Sequence, residues 1–247
     1  ASLVSVSALV PLFAKKESED PMHLKDATKS IFTVFSVLIV LFCGVAWFLM
    51  PFLIKLSFSG LTLGAQTETI LLSRILLLSP LFLGFSNFFG SIVQYEKRFI
   101  LYSLSPLLYN LGIILGLVFL TKNFGVKASV IGVVFGAFLH LGLQAIFVFY
   151  SSMRAGLTFK IKWDVVWETA RLSVPRTLAL SIVSFVSFFF VALAAKFSQG
   201  SIAIFNLSSN LQSVPLSLIG VSFSLAAFPA LAVSFAKKEM GEVVNKI

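Results

Sequence analysis

The chain has 247 residues, 58% of them hydrophobic and 12% charged, with a formal net charge of +9 and a mean hydropathy of +1.00. A water-soluble domain carries about twice that share of charge, so the composition excludes a chain immersed in water along most of its length and indicates an integral membrane protein. Two His, one Cys and ten acidic residues leave few groups for a metal or catalytic cluster, Cys43 has no disulfide partner, and no Walker-type glycine loop is present for ATP.

In chain order, the first apolar stretch, residues 1–13, is too short to cross a bilayer, which takes about 20 residues. It lacks the regions of a signal peptide and is expected to be the end of a membrane helix cut at residue 1. Ala14 to Lys29 is polar and is expected as a loop. Six complete spans should follow, over about 30–56, 70–95, 99–121, 127–152, 173–197 and 201–236. The last contains Pro215 and Pro229, and Pro51, Pro80 and Pro106 lie in earlier spans. Prolines kink a membrane helix without ending it.

Between the fourth and fifth spans, Ile161 to Arg171 places Trp163, Trp167 and Ala170 on one helical face and Asp164, Glu168 and Arg171 on another. That is the pattern of a connector helix lying at the membrane interface, with its indoles at headgroup level.

Orientation follows from the cations. Fourteen of the nineteen Lys and Arg fall after the truncated helix and after the second, fourth and sixth spans, including Lys25, Lys29, Arg98, Arg154, Lys162 and Lys237. Cytoplasmic loops are the positive ones. This puts residues 14–29 and the C-terminal end in the cytoplasm. The cations alternate between loops and form no single patch, so no nucleic-acid partner is expected.

Polar side chains inside a span are costly, so their positions carry information. In the last span Asn206, Asn210, Ser213, Ser217 and Ser224 share one helical face, the fifth span has Thr177, Ser181 and Ser184, and the second has Asn87, Ser91 and Gln94. Such stripes serve either as packing seams or as the lining of a water-filled cavity. Arg74 and Arg176 lie near span ends, where each can snorkel to its interface or project inward to hold an anionic headgroup. His140 and Gln144, one turn apart, suit a satisfied packing contact better than a proton relay.

Two blocks are more specific than composition. Arg74-Ile-Leu-Leu-Leu-Ser-Pro80, through Gly90-Ser-Ile-Val-Gln-Tyr-Glu-Lys-Arg-Phe99 to Ser105-Pro-Leu-Leu-Tyr-Asn110, resembles the lipid II flippases of the MurJ (MviN) family. So does Gly200-Ser-Ile-Ala-Ile-Phe-Asn-Leu-Ser-Ser-Asn-Leu-Gln-Ser-Val-Pro215, with the Phe228-Pro229 pair beyond it, and Val10-Pro11-Leu-Phe-Ala-Lys15 looks like the end of that family's second helix. The resemblance runs the length of the chain.

It implies an all-α, polytopic membrane protein of the MOP exporter superfamily, related to MATE transporters, in which two six-helix lobes enclose a cavity. On that map residues 1–153 belong to the first lobe, 154–172 form the interfacial linker helix, and 173–247 begin the second lobe. The chain would run from the end of the family's helix two to its helix eight. Substrate-cavity candidates on this reading are Asn206, Asn210, Ser213, Ser217, Arg74, Arg176 and Asn87. No catalytic residue, metal or cofactor is implied.

The implied activity is translocation of undecaprenyl-pyrophosphate-linked peptidoglycan precursor across the bacterial cytoplasmic membrane by alternating access. The implied partners are this lipid-linked glycan and membrane lipids, with a monomeric transporter at full length. Three departures stand out. The family's cavity arginines near helix one would precede residue 1, Asn210 stands where helix eight commonly has Arg, and Phe190 falls where proposed cation-binding members carry an acid or amide. Asn210 favours the alternatives, a flippase for another lipid-linked oligosaccharide or a MATE-like exporter of amphipathic compounds. A membrane-embedded transferase would need a base or nucleophile with an orienting partner, and no span shows that motif. A scaffold without transport is the remaining reading.

Overall fold

The computed structural model describes residues 9–10, 12–13, 21–151 and 153–221. Among these the protein is all-α: α1 (Pro21–Ser57), α2 (Leu63–Leu76), α3 (Leu78–Tyr95), α4 (Phe99–Phe124), α5 (Lys127–Tyr150), α6 (Trp163–Ala194), α7 (Ser201–Pro215) and a π-helical turn, Leu216–Val221. Six segments are long and apolar enough to cross a membrane, with α2 and α3 together making one of them. The chain is a multi-pass membrane protein.

The helix bounds correct the sequence reading at four places. Residues 21–29, expected as loop, are the first turns of α1. Pro21 suits the first helical position, where its missing N–H would have no partner in any case. The second span starts at Leu63 instead of 70, because Thr62 caps the helix by accepting from the Ala65 N–H at 3.4 Å. Gln66, buried here, donates to the Phe58 and Leu61 carbonyls at 3.2 and 3.1 Å and so pins the preceding turn. The same span is divided at Leu77. Pro80 cannot bond the Leu76 carbonyl four residues back and its ring presses on it.

The fourth correction concerns residues 163–172, which run on into the fifth span as the single helix α6, through Pro175. Its face toward the protein is Val165, Thr169 and Ser173, all buried and four residues apart. Trp163 and Trp167 point outward, 66% and 71% exposed. In the last span α-helix ends at Pro215 and a π turn follows, the kind of irregularity a missing proline N–H produces. Residues 14–20 of the expected loop, Ser224, Pro229 and the stretch from 222 to 247 lie outside the described residues.

The chain forms two compact units, Ala1–Ser187 and Phe188–Ile247. In the first, α4 and α5 pack closest. Gly112 and Gly116 face Gly136 and Gly132, and a methyl group on either α4 glycine would run into the opposing backbone. Small residues four apart let membrane helices approach until their backbones touch, which replaces the hydrophobic drive that lipid cannot supply. Gly125, at φ +54°, closes α4 in a conformation that favours glycine.

Helix α1 meets α3 through rings. Phe32 packs against Phe88 at 5.2 Å and Phe89 at 5.7 Å between centroids, and Phe35 stacks on Phe88 at 6.0 Å. Leu9 and Phe13 join the same core, Phe13 edge-on to Tyr95 at 5.8 Å.

The connector 153–162 is strapped to α1. The Thr158 N–H donates to Thr33 Oγ1 at 2.9 Å, the Lys162 N–H to Ser30 Oγ at 3.1 Å, and Lys162 Nζ lies 3.2 Å from Asp26 Oδ2. Both hydroxyls donate in turn to carbonyls of α1 at 2.8 Å, so each serves its own helix and the connector at once. The outward surface is apolar, as lipid requires: Phe48 is 75% and Ile100 86% exposed.

In the second unit Phe190 stacks on Phe205 at 6.0 Å, which ties the end of α6 to α7.

Candidate functional site

A cavity of about 460 Å³ lies within the first unit between α1, α3 and α6. Phe35, Ile39 and Leu83 make its walls apolar, while Asn87, Thr177 and Ser181 supply the polar groups. Thus the stripes of the second and fifth spans meet at one place. Thr177 and Ser181 are one turn apart on α6, and Ser181 spends its proton on the Thr177 carbonyl at 2.7 Å. The half-buried Asn87 carboxamide has no hydrogen bond among the described residues, so two donors and an acceptor are available to whatever enters. Cys43 also lines this cavity.

The rest of the α3 stripe turns elsewhere. Ser91 is fully buried and donates to the Asn87 carbonyl at 3.1 Å, and Ser184 of α6 is exposed and lies outside the cavity lining.

Next to Asn87, Ser86 faces the other way, into a buried polar chain. Ser86 Oγ is 2.6 Å from His140 Nδ1 and 3.0 Å from Gln144 Oε1, and Gln144 Nε2 donates to Ser105 Oγ at 3.1 Å. Ser105 in turn donates to the Leu101 carbonyl at 3.0 Å. The order of protons follows from the ends. Ser105 has given its proton to Leu101 and must accept from the Gln144 amide, which leaves Gln144 Oε1 as the acceptor for Ser86. Ser86 Oγ also lies 3.2 Å from the His140 carbonyl, and the arrangement suits a His140 that carries its proton on Nδ1 and donates it to Ser86. Ser86, Gln144 and Ser105 are each hydrogen-bonded, so His140 and Gln144 hold α3, α4 and α5 together as a packing contact.

Arg74 lies in the last turn of α2, well inside the span that begins at Leu63 and not near its end as expected, and rests on Trp47 of α1. Its guanidinium carbon lies 4.1 Å from the ring centroid and its Nε donates to the Trp47 carbonyl at 3.2 Å. It does not line the cavity that holds Asn87. Arg176 lies within α6, and its side chain is outside the described residues. In the second unit Asn206, Asn210, Ser213 and Ser217 are all exposed, on a helix with no buried residue. Ser213 donates to the Asn210 carbonyl at 2.6 Å and Ser217 to the Val214 carbonyl at 3.0 Å, which leaves the two carboxamides as the polar groups open to a ligand.

Three features escaped the sequence reading. The Ser86 and Ser105 partners of the His140–Gln144 pair carry no signal, because their role depends on helices brought together from distant positions. The glycine pairs at 112, 116, 132 and 136 did carry one, glycines four apart on successive spans. A cluster of Lys25, Lys29 and Arg154 around a second pocket is the third.

The six spans among the described residues and the apolar outward surface define a polytopic helical membrane protein, and a partly polar cavity lies within its first unit. The sequence profile of the family described as lipid II flippase MurJ matches residues 5–247, and the chain belongs to that family. The chain is 23% identical over 242 residues to a probable lipid II flippase MurJ of Rickettsia prowazekii, a match covering 95% of this chain and 46% of that one. It is 28% identical over 168 residues to the corresponding protein of Borreliella burgdorferi and 27% over 162 to that of Haemophilus influenzae, each match covering 64% of this chain and 31% of the relative. The chain thus spans less than half the length of these relatives.

Proposed function

We propose that the chain is part of a transporter that moves lipid II, the undecaprenyl-pyrophosphate-linked peptidoglycan precursor, across the bacterial cytoplasmic membrane. Family membership over residues 5–247 carries this reading. The cavity between α1, α3 and α6 supports it, because its apolar walls suit a lipid and Asn87, Thr177 and Ser181 suit a polar headgroup. Translocation proceeds by alternating access, with the cavity opening to one side of the membrane and then the other. Residues 14–29 and the C-terminal end face the cytoplasm, following the distribution of Lys and Arg.

Asn206, Asn210, Ser213 and Ser217 face water during the cycle and contribute to headgroup binding, with Arg176 available for the pyrophosphate. Arg74 serves first to join α2 to α1. The protein works as a monomer, binds lipid-linked glycan and needs no cofactor.

The test is complementation. The natural full-length protein is supplied to bacteria depleted of their own lipid II flippase, with membrane insertion verified in parallel. Rescue that is lost on replacing Asn87 and Asn210 supports lipid II transport. An inserted protein that fails to rescue overturns it and favours another lipid-linked glycan, the reading to which Asn210 in place of the family's Arg points.

A further inference from the structure

A second pocket, of about 530 Å³, opens where the first turns of α1 meet the end of α5, and its lining includes Lys25, Lys29, Tyr150, Ser151 and Arg154. We propose that it binds the phosphate or diphosphate group of an anionic lipid headgroup, at a place separate from the cavity around Asn87.

The argument begins with charge. Lys25 and Lys29 are one turn apart on α1, so their ammonium groups share a face. Like charges at that spacing oppose the helix unless an anion lies between them. Arg154 adds a third cation to the lining, and its guanidinium carbon stands 5.5 Å from the Phe149 ring centroid. A fork beside two ammonium groups matches the oxygens of a phosphate.

Among the described residues, the carboxylates nearby have partners other than Lys25, Lys29 and Arg154. Asp26 pairs with Lys162 at 3.2 Å, and Glu96 accepts the proton of Ser151. Ser151 Oγ also accepts from the Met153 N–H at 2.9 Å, so this corner is held in shape without drawing on Lys25, Lys29 or Arg154. Among the described residues none of the three cations has a carboxylate partner.

The surroundings favour a lipid over a soluble anion. The last turns of α5 leave Ile146, Phe149 and Tyr150 between 65% and 78% exposed. An acyl chain lying along that apolar face would carry its headgroup to the pocket mouth. Basic pockets between helix ends at the membrane surface take anionic headgroups in this way. Two lipids present the same chemistry: a bulk anionic phospholipid and a polyprenyl diphosphate.

The experiment uses the natural full-length protein in nanodiscs and counts retained lipid by native mass spectrometry. The probes are phosphatidylglycerol, phosphatidylcholine and undecaprenyl diphosphate. At least one anionic probe should be retained over phosphatidylcholine, and its retention should fall at least ten-fold in the triple variant Lys25→Gln, Lys29→Gln, Arg154→Gln. The charge-conserving variant Lys25→Arg, Lys29→Arg should keep it. A loss confined to phosphatidylglycerol identifies a bulk-lipid site, a loss confined to undecaprenyl diphosphate a polyprenyl site, and a loss of both a shared one.

Equal retention of both anionic lipids by wild type and neutral triple variant overturns the proposal. So does equal loss in the charge-conserving variant. Should the triple variant fail to insert, Lys25→Gln at an exposed position decides alone, with at least a three-fold loss expected and an unchanged level overturning the proposal. The readout is binding, so it stands whether or not the protein flips lipid II.

Discussion

Ser86 Oγ lies 2.6 Å from His140 Nδ1, across the contact between α3 and α5. Fifty-four positions separate the two residues in the chain, and their bond begins a proton chain that ends at the Leu101 carbonyl of α4. Removing its first hydroxyl takes a hydrogen-bond partner from the fully buried Gln144 Oε1 and from His140 Nδ1. Ser86→Ala should therefore lower stability by about 1 kcal/mol, the scale of interhelical hydrogen bonds in membranes. Thermal unfolding in detergent checks it.

Gly116 and Gly132 set how closely α4 and α5 approach. Gly116→Ala would place a methyl group against the Gly132 backbone, whereas Gly44→Ala and Gly142→Ala would meet open space. Gly116→Ala should cost about 1–3 kcal/mol, the range for overpacking a tight contact. The two control substitutions should leave the melting temperature unchanged.

Asn87 and Cys43 line the same cavity, and Leu41, close by on α1, is 60% exposed on an apolar surface. In a Cys43→Ser background, Asn87→Cys and Thr177→Cys should react with a water-soluble thiol reagent in intact membranes, and Leu41→Cys should not. Protection of both cavity positions in every state would remove the cavity from the transport route.

Arg74 is held by Trp47 through its ring and its carbonyl. Arg74→Ala should lose about 1 kcal/mol, within the range for a cation over an indole. Trp47→Leu should lose most of the same energy, since the pair acts jointly. A double-mutant cycle on thermal unfolding measures the coupling, and near-zero coupling would return Arg74 to the list of headgroup ligands.

Much of the fold was legible in the residues themselves. The apolar run expected over 99–121, between Arg98 and Lys122, located α4 within three residues of its described ends. The errors fell where local polarity misled. Asp26 and Lys29 looked like loop but sit in the first turns of α1, with Asp26 held by Lys162 from the connector. Gln66, Thr67, Glu68 and Thr69 fell before the expected start of the second span at 70, yet Thr62 caps the helix ahead of them and Gln66 is satisfied by turn carbonyls.

The candidate site was legible in its parts and illegible in its assembly. The steps between polar residues put Asn87 on one face of α3 and Thr177 with Ser181 on one face of α6. Nothing in those steps said that the two faces meet, or that Ser86, one residue away, turns toward His140.

The sequence by itself determined the all-α membrane class and the six spans found among the described residues, because lipid demands long apolar helices and such helices form from local residues alone, while its motif blocks carried the family. Tertiary structure alone decided which polar stripe became a cavity wall and which became a satisfied seam, that Arg74 lies on Trp47, and that Lys25 and Lys29 share a pocket with Arg154. Each of those outcomes depends on distances between residues far apart in the chain, and the periodicity of a single helix holds no information about its neighbours.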